Sequence, residues 1–224
     1  MMYINPMVDF ILMQKLWAIS ISTDMNDKME GPMNVLNMGY GSTNYYAVEY
    51  QEKYLLIDTG LPGTLGKMMS QLRKFGIQLK DIHHLMVTHF HPDHCGIAQE
   101  IQAMGVELII GRTQLDFLES ANESMRKLHD FKEIVINPRN IINENDTSAF
   151  FEKVGMPGYI LHTPGHSDDS ISIVIEGVGI FTGDLPFQNQ LIIESNEKVD
   201  ISWSQLRRTN EKRVFPGHGK GITL

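Results

Sequence analysis

The chain has 224 residues, 42% of them hydrophobic, and carries 19 Lys and Arg against 27 Asp and Glu, for a formal net charge of −8. At roughly 150 residues per domain this is one domain with ample material for a core, which excludes disordered and fibrous classes. An acidic balance repels a nucleic-acid backbone or an anionic membrane, so a small-molecule substrate is expected, with no nucleic acid and no membrane as partner.

Residues 1–30 read as an N-terminal extension ahead of a domain over 31–224. Met7 to Ile21 is apolar, but Asp9 and Lys15 interrupt it, and it lacks a preceding positive charge and a small-residue cleavage site. It is therefore expected to pack on the domain, or on a second subunit of a homodimer, rather than to direct export. No uncharged apolar run approaches the roughly 18 residues of a transmembrane helix. Cys95 is the single cysteine, so no intrachain disulfide forms, which fits a reducing, cytoplasmic setting.

Asn44–Tyr50 and Lys53–Asp58 read as a hairpin joined by Gln51 and Glu52. Thr64–Phe75 shows helical spacing of Leu65, Met68, Met69, Leu72 and Phe75, with Gly76 as its stop. A strand is expected at His84–Thr88, a helix at about Cys95–Met104, a strand at Glu107–Ile110 and a helix at about Thr113–Ser120. Residues 121–150 give no clear pattern. Tyr159–His162, Ser170–Glu176 and Gly179–Thr182 read as strands of a second sheet, followed by a helix near Ser202–Thr209 and a strand at Arg213–Phe215. Two sheets with interspersed helices imply a layered α/β or α+β sandwich.

The chemistry concentrates in Thr88-His89-Phe90-His91-Pro92-Asp93-His94. Strand alternation is expected to put His89, His91 and Asp93 on one side, with the turn into the next helix bringing His94 round. Three imidazoles and a carboxylate converging at a strand end are costly to bury without compensation, and a divalent metal such as zinc supplies it. His166, Asp184 and His218 also follow strands and sit beside glycines, at separations of 77, 18 and 34 residues that only the tertiary fold can close. His162 is expected to be packed or hydrogen-bonded, and His83, His84 and His129 to be surface or strand-start residues. Cys95 reads as a small buried residue. Lys198, Arg207, Arg208, Lys212 and Arg213 form a basic stretch, read as a solvated face in preference to an anion-attracting one.

The string His89 to His94, followed in order by His166, Asp184 and His218, resembles the metallo-β-lactamase-fold hydrolase superfamily, as does Asp58-Thr59-Gly60 after an early strand. The likeness runs from about Met33 to His218. It implies a four-layer αββα sandwich of the α+β class with a two-metal site at one edge. His89, His91 and His166 would hold the first ion, Asp93, His94 and His218 the second, and Asp184 would bridge them. The ions implied are two divalent cations, zinc first, with manganese or iron as alternatives. A shared water, its pKa lowered toward neutrality, would supply hydroxide as the nucleophile, with Asp93 guiding its proton. Asp58 would hydrogen-bond a ligand imidazole from behind.

Fold alone does not choose the reaction. The commonest class B β-lactamases are similar, but place Arg after the motif Asp and Cys at the later Asp position. Here His94 and Asp184 stand there. Glutathione thioester hydrolases share the ligand set and extend further at the C-terminus. Nucleases of the superfamily carry added elements, and the flavodiiron type has Glu in the motif and a flavodoxin domain. A small ester, lactone, thioester or amide remains, with lactone or thioester leading. Tyr40, Tyr45 and Tyr159 are available to assist a substrate carbonyl. Two alternatives stand beside this reading. One is a mononuclear iron persulfide dioxygenase using His89, His166 and Asp184, and the other is a non-catalytic binding protein on the same scaffold.

Overall fold

The computed structural model describes residues 33–143, 146–187 and 196–224. The expected extension over residues 1–30 lies outside them. The first sheet runs β1 (Val35–Asn37), β2 (Tyr46–Tyr50), β3 (Lys53–Ile57), β4 (Ile82–Met86), β5 (Glu107–Gly111) and β6 (Ile141–Ile142), paired in that order. β1 to β3 pair antiparallel, and β3 to β6 pair parallel. The second sheet has the order β11-β10-β9-β8-β7, with β7 at Gly158–His162, β8 at Ile171–Ile175, β9 at Gly179–Gly183, β10 at Arg213–Pro216 and β11 at Ile222–Thr223.

Six α-helices lie among the described residues: α1 (Leu65–Lys74), α2 (Pro92–Cys95), α3 (Ala98–Ala103), α4 (Arg112–Met125), α5 (Thr147–Val154) and α6 (Glu197–Arg207). Both faces of each sheet are covered, so the central strands are continuous apolar runs whose alternate residues serve different layers. Leu56, Leu85 and Leu108 join Met68, Leu72 and Ile101 of the helices on the outer face. Their neighbours Leu55, Ile57, Met86 and Ile109 face Ile171, Ile173, Ile175 and Phe181 across the middle. Beyond the second sheet, Val174, Ile180 and Val214 pack on Val199, Trp203 and Leu206 of α6. Three apolar layers between four layers of secondary structure make the αββα sandwich.

Strand direction positions the site. β3 and β4 are parallel, so Ile57 and Met86 end at the same edge. In the second sheet β7 and β9 are each antiparallel to β8, and β10 is parallel to β9. The chain therefore leaves β7, β9 and β10 at one edge, toward His166, Asp184 and His218. A backbone bond from Ile171 N to Thr88 O, 2.9 Å, ties the edges of the two sheets together.

Several elements differ from expectation. β4 ends at Met86, so residues 87–91 are loop and the alternation expected of His89, His91 and Asp93 does not apply. Pro92 sits at the first position of α2, where its missing N–H costs nothing, and His91 before it is extended, as a residue preceding proline prefers. The helix expected at 95–104 is broken between Cys95 and Ala98. α4 runs on to Met125, and α6 starts at Glu197, ahead of the expected Ser202. The patternless 121–150 stretch contains β6 and the start of α5, both too short to show a period. The Gln51-Glu52 turn has φ of 46° and 60°, the left-handed pair that matches hairpin twist, adopted without glycine. Among the described residues no helix is long and apolar enough to cross a membrane.

Candidate metal centre

All seven donors come together. Within 4.8 Å of one another lie single nitrogen or oxygen atoms of His89, His91 and His166, of His89, His94 and Asp184, and of Asp93, His94 and His218. Asp184 stands between the triads. Its Oδ1 is 3.3 Å from His94 Nε2, and its Oδ2 is 3.3 Å from His218 Nε2, 3.5 Å from His166 Nε2 and 3.9 Å from His89 Nε2. His166 Nε2 faces His91 Nδ1 at 2.9 Å, and Asp93 Oδ2 is 3.2 Å from His218 Nε2.

Glycines let the loops approach this closely. At Gly183, φ +54°, a Cβ would overlap the Thr88 hydroxyl, and at Gly217 it would overlap Asp184 Oδ1. Asp58 takes a left-handed φ of 63° although it has a side chain, a strained conformation held by its partners. Its Oδ1 accepts from Thr88 N at 2.7 Å, and its Oδ2 accepts from the Thr88 hydroxyl and from His94 Nδ1, both at 2.9 Å.

These bonds determine the tautomers. A carboxylate only accepts, so His94 Nδ1 carries a proton and its Nε2 turns toward the cluster. The Thr88 hydroxyl gives its proton to Asp58 and is left to accept from His89 Nδ1 at 3.1 Å, which points His89 Nε2 the same way. His218 Nδ1 donates to Ser42 O at 2.8 Å, with Nε2 again inward. Three rings, from the loop after β4, from α2 and from the loop after β10, thus aim a nitrogen at one volume.

Electrostatics separates the buried rings. Burial pushes His89 well below the ordinary histidine value, and the neighbouring imidazoles add to it. Burial also opposes charge on His94, but Asp58 and Asp184 outweigh it and raise the ring to about 10. Asp184 is likewise penalised by burial, yet His94, His218 and His166 hold its carboxyl below the usual range.

Residues 38–218 match the family model of the metallo-beta-lactamase superfamily. The chain belongs to that superfamily. A "probable metallo-hydrolase" of Methanocaldococcus jannaschii is 28% identical over 193 residues, covering 81% of this chain and 89% of that protein. An atrochrysone carboxyl ACP thioesterase of Aspergillus fumigatus is 28% identical over 203 residues, 87% of this chain but only 40% of the relative. Among solved structures, a class B3 di-zinc metallo-beta-lactamase from an Alaskan soil metagenome superposes with a TM-score of 0.65 at 16% identity, covering 88% of this chain and 83% of that one.

The donor set of this metallo-β-lactamase-fold chain suits a metal. His89 Nε2, His94 Nε2 and Asp184 Oδ1 are buried without a hydrogen-bond partner. Polar atoms so placed are costly unless something absent from the polypeptide satisfies them. Imidazole and carboxylate together favour zinc and related first-row ions.

Other expectations resolve plainly. His162 Nε2 bonds Asp168 O at 2.8 Å, and His84 Nδ1 bonds the Tyr50 hydroxyl at 2.6 Å, so both are structural. Cys95 is fully buried with its thiol on His91 O. The basic stretch does not converge: Lys198 pairs with Asp168, Lys212 bonds the carbonyls of Arg207 and Thr209, and Arg213 bonds Gly177 O. Of the tyrosines, Tyr40 is tied to Thr64, Tyr45 is buried, and Tyr159 packs with the α6 cluster. Sequence reasoning misses two residues. Asp169, buried, accepts from Phe90 N at 2.6 Å and so clamps the His89–His91 loop to the His166 loop. The run of polar residues right after His166 is a readable signal for it. Thr43 donates to Asp93 Oδ2 at 2.9 Å, and nothing in its sequence surroundings marks it.

Proposed function

We propose that the protein is a metal-dependent hydrolase that cleaves a small ester, lactone, thioester or amide, with two divalent ions, zinc fitting best. The observation that carries this reading is the set of three buried donor atoms without a hydrogen-bond partner, one in each triad of candidate ligands and one on the Asp184 that both triads share. With a lactone or thioester as the leading substrate class, the thioesterase among the relatives supports the thioester, and the di-zinc fold neighbour supports zinc.

His89, His91 and His166 would hold one ion, and Asp93, His94 and His218 the other. Asp184 reaches toward both. When bound, such a pair lowers the pKa of a shared water toward neutrality and polarises a carbonyl oxygen. The chain's own residues prepare this chemistry. Asp58, Thr88 and Ser42 O hold the Nδ1 protons of His94, His89 and His218, so that each Nε2 keeps its lone pair for the site. Asp93, partly exposed and fixed by Thr43, accepts the proton of the attacking water. Full burial of His89 and His94 excludes bulk water from the floor of the site, which strengthens each charge interaction there.

Metal analysis joined to a panel of lactone, thioester, phosphodiester and β-lactam substrates tests the reading. About two zinc-like ions per chain with lactone or thioester turnover is expected. No transition-metal binding overturns it, as does a single iron with oxygen uptake on a persulfide.

A further inference from the structure

The turn between β1 and β2 is stitched to one half of the cluster. Gly41, at φ +73°, lets the chain reverse so that residues 42–44 face the loop after β10. Thr43 pairs with His218 in an isolated antiparallel bridge, and Asn44 N donates to Gly217 O at 2.7 Å. The Asn44 amide donates to Pro216 O and to Gly219 O, both at 2.9 Å. Ser42 O takes the Nδ1 proton of His218, and the Thr43 hydroxyl donates to Asp93 Oδ2. That Asp93 oxygen is the one 3.2 Å from His218 Nε2 and 3.6 Å from His94 Nε2. Thr43 itself is 5% exposed, so its hydroxyl is held in place by packing.

The other triad is braced elsewhere. Asp169 holds the backbone of Phe90, between His89 and His91. Ser202 of α6 donates to Pro164 O at 2.8 Å, in the loop leading to His166. Asp58 serves both triads, His94 directly and His89 through Thr88, but beyond it each triad has its own support, drawn from a different part of the chain.

From this we infer that Thr43 is a positioning residue that selectively tunes the Asp93–His94–His218 ion site. This rests on the two-ion reading above. The Thr43 hydroxyl orients the Asp93 carboxylate while the backbone around it holds the His218 ring, so that two of three donors depend on one turn. Losing such a supporting bond typically weakens metal binding roughly 10- to 100-fold.

The test is zinc titration against a chromogenic competing chelator, on the full chain, with Thr43→Val and Thr43→Ser. Valine keeps the branched shape and removes the hydroxyl, whereas serine keeps the hydroxyl. Wild type is expected to take up two tight zinc ions. Thr43→Val should retain one and hold the second roughly 10- to 100-fold more weakly, with unchanged circular dichroism, and Thr43→Ser should restore two. If Thr43→Val binds both ions as tightly as wild type, or loses both equally, the inference fails while the two-ion reading stands. A wild-type chain that takes up no zinc overturns both. Should Thr43→Val misfold, Thr43→Ala is read in the same titration with the same outcomes.

Discussion

His89 and His94 are both fully buried and their rings stand 4.2 Å apart, yet they titrate in opposite directions. His89 sits among other imidazoles and is driven neutral, while His94 has Asp58 behind it and Asp184 ahead and is raised to about 10. The contrast extends to their triads. His89, His91 and His166 contain no carboxylate and rely on Asp184 for charge, whereas Asp93, His94 and His218 bring their own. Burial is shared, so the neighbours decide. In the metal-free chain His94 holds a proton that an incoming ion must displace, whereas burial disfavours one on His89 and His166.

The comparison is broken most severely at the residue common to both halves. Asp184→Ala should lower kcat/KM by about 10²- to 10³-fold, the several kcal/mol that a placed divalent ion contributes to the transition state. Metal content should fall for both halves, as elemental analysis would show. Asp58→Ala should act most on the second half, because it strands His94 Nδ1 in the interior, and less on the first, which it reaches only through the Thr88 hydroxyl behind His89. A roughly 10- to 100-fold weaker second ion is expected in competition titrations, with a smaller loss at the first.

Proton linkage sharpens the same contrast. The folded value of His94 lies above the ordinary 6.5, so its pairing with Asp58 and Asp184 stabilises the metal-free chain fully below pH 6.5 and is lost as pH rises through about 10. On the proposed reading zinc would replace that proton, so the melting temperatures of metal-free and zinc-loaded chains should diverge as pH rises across this window. A gap that narrows would contradict the assignment. Asp169→Ala removes the acceptor of a buried N–H and should cost about 1–3 kcal/mol in denaturant unfolding, whereas Asp169→Asn keeps an acceptor and should recover most of it. The smallest effect is expected far from the cluster. Tyr50→Phe removes the bond to His84 at about 1 kcal/mol and should leave metal stoichiometry unchanged.

Legibility follows distance along the chain. His89, His91, Asp93 and His94 lie within six residues, and the chemistry of imidazoles beside a carboxylate marks them without a fold. His166, Asp184 and His218 are legible as residues flanked by glycine, since an unusual backbone is what brings a loop to a metal edge. The apolar run Leu55–Ile57 of β3 is legible as a strand because both of its faces are covered.

Short elements are not legible. β6 and β11 have two residues each, too few for any period, and exist only because a neighbouring strand offers them a partner. The short helix carrying Asp93 and His94 reads as a strand end and the turn after it, because Pro92 acts through backbone geometry that a side-chain pattern does not display.

By itself the sequence determined the layered architecture and pointed, through the resemblance carried by its motif, to the family and to seven candidate donors, because a motif and a hydrophobic period are local properties. Only the tertiary structure decided which nitrogen of each ring faces the cluster, that His89 and His94 differ in charge, and that Thr43 and Asp169 brace opposite halves. Most of those properties belong to pairs of residues 30 to 176 positions apart, such as Asp58 with Thr88, Phe90 with Asp169 and Ser42 with His218, and such pairs exist only after the chain has folded.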